Sequence, residues 1–196
     1  MEENSNAKRN AVLKHIAYWV TLLIIIGVEF SYREPLIEWS KRAMMTIQVN
    51  ETEFSKYLFI GISLIGLGAP YFLAALLIMK GNAERGIAFY HLLFLCAAIY
   101  IMNLSKMVYS ESRIYWWVGA ITPDECPTDF GNPSGHTMLA IGYPMVLYLH
   151  IFEDAKIQER LSGRFPWYQA LCLFFVFSWS FIVGAARLYV RVHSMN

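Results

Sequence analysis

The sequence predicts an all-α protein, a polytopic membrane bundle with about five transmembrane helices. Three observations lead there. Hydrophobic residues make up 57% of the 196 residues and charged residues only 16%, a balance typical of membrane proteins rather than soluble globules. Five apolar stretches approach the roughly 20 helical residues that a hydrocarbon core requires. The polar groups that remain gather into small clusters at the edges of those stretches. The formal net charge of +1 offers no basic field for a nucleic-acid backbone, so nucleic acid is excluded as a partner.

The first stretch, near 15–31, is followed by Val28-Glu29-Phe30-Ser31-Tyr32-Arg33 and carries no small-residue cleavage site, so it reads as an anchor rather than a signal peptide. Residues 32–56 mix Trp39, Met44, Met45 and Ile47 with Arg33, Glu38, Lys41 and Arg42, a pattern suited to a helix lying in the headgroup layer. The second and third stretches lie near 57–79 and 86–105. A long connection, 106–135, leads to the fourth stretch near 136–152, and the fifth lies near 168–186. Pro70 and Pro144 fall inside the second and fourth, where neighbouring helices can satisfy the freed carbonyls and a kink is tolerated. The chain therefore reads as a single integral-membrane domain over 1–196. Cys96, Cys126 and Cys172 show neither a paired framework nor metal-ligand spacing.

Lys and Arg divide eight to eight between the two sides of this topology. Lys106, Arg113 and Arg187 sit within the polar clusters; with these set aside as ligand-binding charges, the amino-terminal side is the more basic and so cytosolic. The clusters then face the lumen or exterior of an endomembrane, such as the endoplasmic reticulum, or of the plasma membrane. Asn50-Glu51-Thr52, a glycosylation acceptor pattern, falls on the same outward side. His15, His91 and His150 sort to cytosolic helix ends, whereas His136 and His193 share the outward face with the three cations.

Those groups suit phosphoryl transfer, which needs cationic donors around the equatorial oxygens, a nucleophile in line and an acid for the leaving oxygen. Arg113 and Arg187 offer planar forks, and Lys106 a compact ammonium. Pro133-Ser134-Gly135 precedes the fourth helix, so the first backbone N–H groups and the Ser134 hydroxyl can face an anion. His136 can act as general acid, which leaves His193 as nucleophile. Asp124, Glu125 and Asp129 lack His or Cys at ligand spacing and read as a solvated acidic loop, so no metal and no cofactor is expected.

Lys106, six residues, Arg113; then Pro133-Ser134-Gly135-His136; then Arg187, five residues, His193: this order resembles the three-part signature of the type 2 phosphatidic acid phosphatase superfamily, which includes lipid phosphate phosphatases and glucose-6-phosphatase. The resemblance covers about half of the chain. It implies a six-helix membrane fold and a metal-independent phosphatase in which His193 becomes a phosphohistidine, His136 protonates the departing alcohol, and Lys106, Arg113, Ser134, Gly135 and Arg187 hold the oxygens. The substrate it implies is a membrane lipid phosphate or a small phosphate ester, with an oligomer or larger membrane complex compatible. Ile114 stands where the family has proline, and Ala186 where it has serine. The resemblance also implies an aspartate just beyond Asn196 to orient His193, and a sixth span, so the reading frame is expected to continue through another apolar stretch of about 20 residues. The competing readings are a catalytically impaired subunit of the same fold and, more remotely, a transporter, which would carry ionisable groups in mid-span. Tyr115, Trp116 and Trp117 can line a substrate entrance or serve as interfacial anchors.

Overall fold

The computed structural model describes residues 2–80, 85–152 and 167–194. Its elements are α1 (Glu2–Asn50), α2 (Glu53–Ile65), α3 (Gly68–Lys80), α4 (Arg85–Tyr109), the single turn α5 (Ile114–Trp117), α6 (Gly135–Ile151) and α7 (Trp167–Tyr189). All the apolar stretches are helical, and the all-α membrane fold stands. Three described helices are long and apolar enough to cross a membrane, or four if α2 and α3 form one broken span. With α6 these account for the five expected apolar stretches. α6 has 17 residues, about 25 Å of helix, slightly short of a hydrocarbon core.

The chain forms two compact units, residues 1–39 and 40–195. In the first, Leu23, Ile24, Ile25, Val28 and Phe30 of α1 are all exposed, as on a helix surrounded by lipid. The surface helix expected within 32–56 is no separate element; α1 runs unbroken to Asn50, through Pro35. Thr52 then starts α2 with a capping box: its hydroxyl accepts from Ser55 N, and Ser55 Oγ accepts from Thr52 N at 3.0 Å. Two donors left over at the helix start are thereby satisfied.

In the second unit, α7 packs against α6 and α2, α3 against α4, and α4 against α6. Tyr71, Ala75, Leu95, Ala98, Leu139 and Tyr143 form the apolar core where α3, α4 and α6 meet. Phe59 stacks on Tyr189 at 4.0 Å between ring centres, joining α2 to α7. On the outer faces, Leu93, Tyr100, Ile101 and Leu104 of α4 and Phe174, Phe177 and Phe181 of α7 are exposed. A belt of this size has no place in water and fits an integral membrane protein. His91 is fully buried near His150 and Tyr143, away from the cluster described below.

The break in the second span falls just before Pro70, whose ring cannot sit against the carbonyl of residue 66 within one continuous helix. α2 and α3 meet at 47° at Gly66 and Leu67, and Pro70 lies in the first turn of α3, where its missing N–H costs nothing. Glycine is required at the break: a Cβ on Gly66 would come within 2.8 Å of Val183 Cγ1 on α7. Pro144, by contrast, sits within α6 and the helix continues through it.

Candidate active site

Four chain segments converge at one end of this bundle. Lys106 lies in the last turn of α4, Arg113 just before α5, Gly135 and His136 in the first turn of α6, and Arg187 in the last turn of α7. His193 follows four residues after α7. Together they line a cavity of about 370 Å³, whose other wall is apolar and includes Leu67, Ile99, Met102 and Leu139. Lys106, Arg113, Arg187 and His193 are all at most 7% exposed, so their charges act in a medium that screens them far less than water.

Arg113 is the hub. Its Nε donates to Asp129 O at 2.8 Å, its Nη2 to Asp129 Oδ1 at 2.6 Å, and its Nη1 to Val192 O at 2.5 Å. The same Nη1 lies 3.3 Å from His193 Nε2. A guanidinium only donates, so Nε2 accepts and the neutral ring carries its proton on Nδ1. Burial, and then the charges of Arg113, Arg187, Lys106 and His136, hold the His193 imidazolium well below its ordinary pKa. The ring is therefore neutral at physiological pH, the state in which an imidazole nitrogen can act as a nucleophile. With 6% exposure, His193 lies inside the fold and does not swing into solvent.

Asp129 also pairs with Lys106 Nζ, and Glu125 Oε2 accepts from Arg187 Nη1 at 2.8 Å. The acidic loop expected to be solvated is thus turned onto the cations, because buried positive charges require counter-charges. Burial alone would raise the Asp129 carboxyl, but hydrogen bonds from Lys106 and Arg113 and their charges outweigh it and hold the pKa at about 2, against 3.8 unperturbed. A depressed carboxylate stabilises the fold fully above its unfolded pKa and loses that contribution as pH falls through the folded value. Thermal unfolding of Asp129→Asn is accordingly expected to lose part of the wild-type decline in stability between about pH 4 and pH 2. Superimposable acid profiles for the two proteins would contradict the pairing.

Arg187 Nη1 also donates to Ser63 Oγ at 2.5 Å. Ser63, on α2, is 1% exposed and brings a hydroxyl to the arginine that Ala186 cannot supply. Arg187 Nε, buried, has no partner among the described residues, an orphan donor of the kind that an incoming oxyanion satisfies. Ser134 departs from expectation: it is not on the cavity wall, and its hydroxyl accepts from Thr137 N at 3.5 Å as the N-cap of α6. That cap leaves the Gly135 and His136 N–H groups at the helix mouth, where the dipole favours an anion. Gly135 is needed for a close approach to the protein rather than only to a ligand, since a Cβ there would collide with Met102 Sδ. The aromatic run does not line the cavity. Tyr115 donates to Pro127 O at 2.7 Å, and Trp116 and Trp117 are exposed, like interfacial anchors.

A sequence profile described as the PAP2 superfamily matches residues 87–196, more than half of the chain and all of the cavity's polar side. The chain belongs to the PAP2 superfamily. No curated protein matches it significantly. Among solved structures, it is similar to a transmembrane PAP2-type phosphatidylglycerolphosphate phosphatase from Bacillus subtilis, with a TM-score of 0.61 and 17% identity, over 91% of this chain and 84% of that one. At this identity the likeness speaks for a shared PAP2 membrane fold. Family and fold together support a membrane phosphatase.

Proposed function

We propose that this PAP2 protein hydrolyses the phosphate monoester of a membrane lipid, phosphatidic acid-like, or of a small organic phosphate, without a metal ion and through a phosphohistidine. The observation that carries this reading is the cavity in which Lys106, Arg113, His136, Arg187 and His193 meet. The phosphate dianion takes the place of the Asp129 and Glu125 carboxylates. Lys106, Arg113, Arg187 and the first N–H groups of α6 then hold its oxygens and stabilise the charge that spreads over them in the transition state. The Nε2 lone pair of His193 attacks phosphorus, the bond from phosphorus to the ester oxygen breaks, and His136 gives its proton to the departing alkoxide. Water next attacks the phosphohistidine while His136 takes a proton from it; inorganic phosphate leaves and the His193 lone pair is restored.

The apolar wall of Leu67, Ile99, Met102 and Leu139 favours a lipid phosphate, whose acyl region can lie against it while the headgroup meets the cations. The outward orientation inferred from the basic residues puts this chemistry on the lumenal or exterior face.

The test is phosphate release by detergent-solubilised protein in the presence of a chelator, with phosphatidic acid and glucose 6-phosphate compared side by side. Release by the wild type is expected to survive the chelator and to be faster with phosphatidic acid. His136→Ala should slow it by at least about a hundredfold, the usual contribution of a general acid. Equal release by the two proteins would remove the mechanism. No release by either would favour a catalytically impaired subunit with a structural or lipid-binding role.

A further inference from the structure

α7 ends on a left-handed arginine that the chemistry above does not use. Arg191 has φ 62°, a region that side chains other than glycine rarely enter. Its N–H donates to Leu188 O at 3.0 Å, and the next one, of Val192, to Arg187 O at 3.2 Å. These are the two bonds of a Schellman cap, in which glycine is the usual left-handed residue. The chain then reverses. Val192 O and His193 Nε2 both meet Arg113 Nη1, so the direction of the cap decides where the imidazole lies.

What holds an arginine in this conformation is visible around it. The Arg191 side chain is 4% exposed. Nε donates to Thr122 O at 2.6 Å and Nη1 to Glu51 Oε2 at 3.1 Å, while Nη2 forms an ion pair with Asp124 Oδ2 at 2.8 Å. Asp124 in turn pairs through Oδ1 with Lys56 Nζ at 3.0 Å, and its backbone N–H donates to Val190 O at 3.2 Å. One guanidinium thus fastens the α1–α2 connection and the loop between α5 and α6 to the end of α7, two residues before His193. A backbone in a sparsely populated region persists only where its surroundings impose it, and here they impose it next to the reacting group.

We infer that Arg191 is a positioning residue: clamped to Glu51, Thr122 and Asp124, it fixes the left-handed turn that presents His193 to the phosphate. The inference rests on His193 being the nucleophile. Arg191→Gly separates the clamp from the backbone, because glycine accepts the same φ without strain but makes none of the side-chain contacts. With phosphatidic acid as substrate, Arg191→Gly is expected to lower kcat by about 10- to 100-fold, the penalty of a displacement on the order of 1 Å at a reacting group, while KM changes less than about twofold. Arg191→Lys should recover only part of the loss, since an ammonium cannot reach three partners in a fork. The 15N chemical shifts of the His193 ring should move in Arg191→Gly, which a remote loss of stability would not cause.

Wild-type kcat in a folded Arg191→Gly protein, or a reduced kcat with unmoved His193 ring signals, would overturn the inference. If Arg191→Gly does not fold, Asp124→Asn decides, with a kcat loss of at least about fivefold at constant KM supporting the clamp and an unchanged kcat refuting it. His193→Ala run in parallel separates the two claims. If it keeps activity, the nucleophile assignment is wrong; if it is inactive while Arg191→Gly is fully active, only the positioning role fails.

Discussion

His193→Ala is expected to abolish phosphate release, by at least about a thousandfold, because loss of a covalent nucleophile leaves only binding and charge stabilisation. The fold should survive better than the activity. His193 sits beyond the last helix, and its ring shares a hydrogen bond with Arg113 Nη1, so truncation removes an acceptor that water can replace. The measurements are initial rates on phosphatidic acid and a thermal melt of the same preparation. A rate within tenfold of wild type, from a protein that melts normally, would show that the phosphorus is attacked by something else.

Arg113→Ala carries the second large effect, and it should damage both stability and chemistry. The guanidinium serves Asp129 O, Asp129 Oδ1, Phe130 O, Val192 O and His193 Nε2 at once. Its removal leaves Val192 O without this donor and Asp129, whose side chain is half exposed, with Lys106 alone, a loss of about 1 to 3 kcal/mol, the cost of a buried polar group left unsatisfied. Phosphate release should fall below detection. Arg113→Lys keeps the charge but not the fork, so it should hold more of the stability than of the activity, with a rate about a hundredfold down. Denaturant melts and turnover on both variants check this. An active, stable Arg113→Ala protein would mean that the loop and the end of α7 are held together by other contacts.

The architecture was legible because hydrocarbon imposes length and composition: the stretches near 86–105, 136–152 and 168–186 became α4, α6 and α7 within a few residues of their expected limits, whereas the first lies inside the much longer α1 and the second is divided into α2 and α3. The need for glycine at the break was not legible, since it comes from the close approach of Val183, which is 117 positions away in the chain. The signature cations and histidines were legible from order and spacing. Their partners were not: Ser63 looks like any tolerated hydroxyl in an apolar helix, and nothing local turns Glu125 and Asp129 inward. Those two carboxylates are drawn in by charges whose burial exists only once the helices have packed. Ser134 carries both signals, ligand and helix cap, and the geometry uses it as the cap. Arg191 reads in the sequence as one more cation; its left-handed backbone is set by partners distant in the chain.

The account turns on covalent attack by His193, and that can be read directly. Protein mixed with 32P-labelled phosphatidic acid for a single turnover, quenched in alkali and digested, should carry label on the peptide that contains His193. The label should vanish in His193→Ala and decay as inorganic phosphate appears. Burst release of phosphate with no label on protein, or label on a hydroxyl residue such as Ser63, would contradict it.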